Sequence, residues 1–176
     1  MKYAKIFAVF GALALVGAGS AVLIENFGTI SGTADVEPAV KIVEVDYEAV
    51  SGVEYIELYN PANSEVTLSG WKIGDRAGNE SFPDLTIASE ANALILEEGA
   101  NLTDREIPSY VEVSSIGHYG LANSGEEVFL KADSSLVIDS VDFTDDPCDG
   151  KVVAIDWDAD SQTCMDSNYD FEGDLS

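Results

Sequence analysis

Short runs of strand-forming residues, separated by turn residues, fill residues 37–143 and constrain the fold more than any other feature of the chain. Turn residues stand between the runs at Asn60-Pro61, Gly78-Asn79, Pro83-Asp84 and Ser124-Gly125. Strands are predicted over residues 40–47, 53–59, 66–68, 71–73, 85–87, 93–96, 110–113, 127–131 and 136–143. No helical periodicity is sustained in this region, so the pattern predicts an all-β fold, either a sandwich or a small barrel.

Alternation along the runs indicates which side chains form the core. Ile56 and Leu58 share one face of the run 53–59. The same phasing assigns to the core two further pairs, Trp71 with Ile73 and Val128 with Leu130. Glu57 is the exception, because it lies on the face opposite Ile56 among apolar and aromatic neighbours. We interpret Glu57 as an edge or solvent-facing position, or as an acceptor for N–H groups of a neighbouring loop; a ligand-binding role is the alternative.

Five motifs follow one another in the order typical of a known family and cover about residues 40–143. They are EYIELYNP (54–61), VTLSGWKIGD (66–75), SFP (81–83), LANSGEEVFL (121–130) and VIDSV (137–141). On these motifs the chain resembles the lamin-tail domain family, in the form found on secreted and surface proteins of prokaryotes. The resemblance implies an immunoglobulin-like β-sandwich that acts as a binding or structural module and supplies no catalytic residues. It ends after Phe143.

The N-terminus has the composition of an export segment. Lys2 and Lys5 precede an uncharged, apolar run of 19 residues from residue 6 to residue 24. Residues 1–24 are therefore interpreted either as a signal peptide that is cut near residues 18–21, or as an uncleaved helical anchor that spans the membrane with residues 6–24. Both interpretations place the rest of the chain outside the cell or on its surface. Residues 25–36, rich in Gly, Ser and Thr, are predicted to be a linker.

The charge balance narrows the range of partners. Asp and Glu together number 33 against 8 Lys and Arg, which gives a formal net charge of -25. Such a field repels phosphate backbones, so nucleic acid is excluded as a partner, whereas a cation or a basic protein would be attracted. The alternative is that the acids bind no particular partner and form a solvated surface that maintains solubility.

The two cysteines lie in the acidic C-terminal segment, residues 144–176. Cys148 and Cys164 are predicted to form a disulfide, because an exported chain meets an oxidising environment and a metal site would need more Cys or His nearby. The rest of the segment is interpreted as an acidic, partly disordered tail.

Calcium is the one cofactor that the residues suggest. Three carboxylates alternate at Asp156, Asp158 and Asp160, as at the start of a calcium loop. Ser161 and Ser167 stand where an EF-hand would have Gly and Glu, so the expected site is weak.

Catalytic motifs are not found in the sequence. His118 is the only histidine, and it sits in a Gly-rich turn without a nucleophile elbow, so we expect no enzyme activity. Asn79 and Asn101 begin sequons in predicted loops and are candidate glycosylation sites, with chance matches as the alternative.

The function expected from these features is that of an exported or surface-anchored, non-catalytic module that recognises an envelope protein or glycan. Two alternatives remain open at this point. One is an accessory domain beside a separate surface hydrolase, and the other is a subunit of a surface filament.

Overall fold

The computed structural model describes residues 40–49, 52–102, 107–117, 119–132, 136–144, 148, 151–156, 159, 161–169 and 171. Within these residues the regular elements are twelve β-strands. In chain order they are β1 (Lys41–Asp46), β2 (Tyr55–Tyr59), β3 (Val66–Leu68), β4 (Lys72–Gly74), β5 (Asn79–Ser81), β6 (Leu85–Ile87), β7 (Asn92–Glu97), β8 (Ser109–Val113), β9 (Glu127–Lys131), β10 (Val137–Asp142), β11 (Val152–Asp156) and β12 (Ser161–Met165).

The predicted export segment, residues 1–24, and the predicted linker, residues 25–36, lie outside the described residues. In the part of the chain that the structure does describe, no helix is long and apolar enough to cross a membrane.

The described strands form three sheets. The first has six strands in the order β12-β11-β1-β2-β7-β8, and the second has four in the order β10-β9-β4-β5. A short pair, β3 with β6, forms the third. Neighbouring strands are antiparallel throughout, except that β8 runs parallel to β7. Because every described element is a strand, the predicted all-β fold is confirmed.

A bulge in β1 sets which of its side chains face the core. The pairing of β1 with β2 shifts register between Ile42 and Glu44. An extra residue at such a point reverses the alternation. Ile42 and Val45, three positions apart, therefore both join the main hydrophobic cluster. Glu44 faces the opposite side of the sheet.

The main hydrophobic cluster draws its buried residues from the six-stranded and four-stranded sheets and from the short pair. Ile56 and Leu58 of β2 are fully buried there, as are Val128 and Leu130 of β9, so the alternation read from the sequence is confirmed at these positions. The rings of Tyr47 and Phe143 pack with centroids 4.9 Å apart. This is the packing of an immunoglobulin-like sandwich, as the motifs implied.

The strand predictions located nine of the twelve described strands and missed three. Each of the nine predicted runs overlaps one observed strand, with ends that differ by up to two residues. β5 was missed, because its sequence Asn-Glu-Ser has little strand propensity and is held by pairing with β4. Trp71 was expected inside the core beside Ile73. It instead precedes β4 and is half-buried at the rim of the cluster, whereas Ile73 is fully buried.

The largest difference concerns the C-terminal segment. The interpretation as a partly disordered tail is wrong for the residues described there, because β11 and β12 extend the six-stranded sheet. Glu44 and Val45 of β1 pair with Ala154 and Val153 of β11. Without β11, the backbone groups on that side of β1 would lack sheet partners. This tertiary pairing outweighs the acidic composition of the segment.

Candidate functional site

The face of the six-stranded sheet that points away from the main core is also covered. Tyr55 and Glu57 of β2 alternate with core residues and belong to this outer face, yet they are 0% and 3% exposed. We define the outer face by the side chains of one cross-sheet patch: Glu44, Val53, Tyr55, Glu57, Leu94 and Leu96. Its cover comes from the C-terminal strap, defined as residues 166–169 and 171, which follows β12, and from the partly buried side chains of Ala100, Leu102 and Ile107.

Aromatic rings attach the strap to the outer face. Tyr169 and Phe171 stack on each other with centroids 5.6 Å apart and an interplanar angle of 12°. Both meet the ring of Tyr55 edge-on, at 5.5 Å and 5.8 Å. Phe171 is fully buried in a second hydrophobic cluster with Leu94 and Leu96. Edge-on and offset ring pairs of this kind are favourable beyond the area that they bury.

Two carboxylates lie beneath the strap. Glu57 accepts hydrogen bonds from the Tyr169 hydroxyl and the Asn92 side-chain amide, each at 2.6 Å. Glu44 accepts hydrogen bonds from the Tyr55 hydroxyl and from the side chain of Asn168. The expectation that Glu57 is an edge or solvent position is therefore wrong, because β2 lies in the middle of its sheet and the strap closes over it.

The two acids also oppose each other. Glu44 and Glu57 are direct partners in the register of β1 and β2. Like charges directly opposite each other destabilise a sheet. Burial raises the pKa of both groups, and the bonds from Tyr55 and Tyr169 counteract the rise. In the described part of the chain, Arg76 pairs with Glu127 and Asp142, and Lys151 pairs with Asp166. None of these ion pairs neutralises the charge of Glu44 or Glu57.

A second group of acids holds the loop 114–126 between β8 and β9. Glu54 accepts a hydrogen bond from the backbone N–H of Leu121 at 2.7 Å. Glu97, at the end of β7, accepts one from Ile116 at 3.1 Å. The loop therefore rests on carboxylates that project from the ends of the neighbouring strands.

Burial, reinforced by the charges of Glu97, Asp46 and Glu126, raises the pKa of Glu54 to about 8 from an ordinary value of 4.5. The folded protein therefore binds this proton more tightly than the unfolded chain does. Its contribution to stability is complete below pH 4.5 and is lost as the pH rises towards 8.

The melting temperature is accordingly expected to fall between pH 5 and pH 8.5. Glu54→Gln should flatten this fall by the equivalent of about 1–2 kcal/mol, a value discounted because the side chain is only half-buried. Differential scanning calorimetry across the pH range measures the effect. Glu112→Gln, which removes an exposed acid from β8, is the matched control. Identical slopes for the two variants would contradict the assignment.

The predicted disulfide is confirmed. Cys148 and Cys164 are bonded, with their Cα atoms 5.4 Å apart. Cys148 is buried against the main core, and Cys164 is exposed on β12. The bond therefore fastens the outermost strand of the six-stranded sheet, immediately before the strap, to the body of the domain.

Of the three predicted calcium ligands, only Asp156 is among the described residues. The Asp156 carboxylate accepts a hydrogen bond from the backbone N–H of Ala159 at 3.1 Å and so supports the turn between β11 and β12. Asp158 and Asp160 lie outside the described residues, and the calcium site stays a prediction. Among the residues that can be described, no cluster of three or more potential metal ligands occurs.

The remaining candidate residues are dispersed. Asn79 lies on strand β5 and not in the expected loop, with its exposed side chain bonded to Lys131 at 2.8 Å. Asn101 is exposed, and glycosylation of both stays a prediction. His118 lies outside the described residues. The sequence reasoning missed the strap, although two aromatic residues at alternate positions in an acidic stretch, Tyr169 and Phe171, were a signal for it.

The fold and site together define the class of the protein. The two main sheets pack around a common core, and carboxylates hold a loop and the strap in place. This is the architecture of an immunoglobulin-like binding or structural domain. The family model for the Lamin Tail Domain matches residues 33–145, and the chain belongs to this family. No curated protein sequence matches the chain. The match ends before β11, β12 and the strap, so these elements lie beyond the residues that the family model covers.

Proposed function

We propose that this lamin tail domain is exported and acts, on the cell surface or in the surrounding medium, as a non-catalytic module that binds an envelope protein or glycan. The Cys148–Cys164 disulfide is the observation that carries the proposal. Disulfides form and persist in oxidising compartments and are rare where thiols are kept reduced. The two lysines and the apolar run at the N-terminus support the same location. The family, a non-catalytic domain type, supports a binding role.

Protease treatment of intact cells tests the location. A full-length chain with a C-terminal epitope tag should lose the tag when protease is added outside, because the export segment carries the body of the chain across the membrane. Immunoblotting follows the tag, and a cytosolic protein in the same cells should remain intact. Retention of the tag until the cells are lysed would refute export.

Thiol trapping gives an independent measurement. In acid-quenched cells Cys148 and Cys164 should resist alkylation until a reductant is added, because the pair is oxidised in place. Alkylation of both thiols without reduction would contradict the proposed compartment even if the protease result were ambiguous.

A further inference from the structure

The strap contacts the outer face as a bound peptide contacts its receptor. Its two aromatic side chains stand at alternate positions, Tyr169 and Phe171, and both pack on Tyr55. The neighbouring Asn168 and the hydroxyl of Tyr169 itself donate hydrogen bonds to the two buried acids, Glu44 and Glu57. Aromatic anchors with a few placed polar contacts are the usual composition of a peptide-binding surface.

The strap is a poor electrostatic partner for this face. Glu44 and Glu57 oppose each other in register, and the strap offers them only neutral donors, an amide and a hydroxyl. The strap and the residues after it are themselves acidic, with carboxyl groups at Asp166, Asp170, Glu172 and Asp174. A cationic donor would form stronger hydrogen bonds to the same carboxylates and would relieve their mutual repulsion.

We propose that the outer face is a docking site for an extended basic segment of another protein, which carries two aromatic side chains at alternate positions, and that the strap is its internal competitor. The inference rests on the proposed binding function and adds the chemistry of the partner. The net charge of -25 steers such a segment towards the domain. The disulfide at Cys164 fixes the base of the strap, so docking displaces only the strap and leaves β12 in place.

Two synthetic peptides test the docking site. The first repeats the sequence of residues 166–172 with its three acids replaced by lysine, in the order Lys-Ser-Asn-Tyr-Lys-Phe-Lys. The second has alanine in place of both aromatic residues. The protein is the full-length chain in a non-ionic detergent, compared with its Tyr169→Ala/Phe171→Ala variant, in which the strap has lost its anchors. Isothermal titration calorimetry at near-physiological salt measures affinity.

We expect the lysine peptide to bind the double variant at least about tenfold more tightly than the wild-type chain, because it no longer competes with the strap. Adding Glu57→Gln to that variant should weaken binding by about tenfold. The alanine peptide should bind at least tenfold more weakly than the lysine peptide in every case. Equal affinity for the two peptides would show general charge attraction and overturn the proposal, as would equal binding to the two proteins.

Hydrogen exchange on the wild-type chain keeps the proposal testable if the double variant unfolds. Saturating lysine peptide should speed exchange in the strap and slow it at β2, while exchange in the rest of the sandwich stays unchanged. Unchanged exchange in the strap would overturn the proposal. Because protease accessibility on cells does not depend on the outer face, failure here and failure of the proposed export are distinguishable.

Discussion

Replacing Phe143 with alanine is expected to lower the free energy of unfolding by roughly 3–5 kcal/mol. Phe143 is 2% exposed and its ring lies 4.9 Å from that of Tyr47. Its backbone N–H donates a hydrogen bond to the carbonyl oxygen of Glu126 at 2.9 Å, which limits how far the backbone can move to fill the cavity. Urea denaturation followed by fluorescence or circular dichroism measures the loss.

Trp71→Ala is the matched control for this prediction. Trp71 is the larger side chain, and its place in the motif made it the stronger candidate for the core from sequence alone. Because it is half-buried at the rim, we expect a loss of only about 1–2 kcal/mol. If Trp71→Ala destabilised the protein as much as Phe143→Ala does, the packing described for the sandwich would be wrong.

Opening the disulfide is expected to lower the free energy of unfolding by about 3 kcal/mol in the chain-entropy model, for a sequence separation of 16 residues. The cross-link restricts the unfolded chain, and in the folded state it holds β12 beside β11. Denaturation with and without reductant measures the difference. A Cys148→Ala/Cys164→Ser variant should melt like the reduced protein and should not respond to reductant. An unchanged midpoint on reduction of the wild-type chain would refute the prediction.

Much of the fold was predictable because its signals are local. Strand runs, turn residues and two-residue alternation act over a few positions, and they located nine strands and the buried faces at Ile56 and Val128. The order of the motifs identified the family. The pairing of the two cysteines was predicted from their number and from the expectation that the chain is exported.

The candidate site depended on contacts that no local pattern contains. Glu44 faces the strap because a bulge reverses the alternation of β1, and its partner Asn168 is 124 residues away along the chain. Glu57 is buried because β2 lies in mid-sheet and the strap covers it. The sequence by itself therefore determined the class of fold, the family and the disulfide. Tertiary structure decided which acids are buried and what covers them, because burial depends on pairings between distant segments, which the local sequence does not encode.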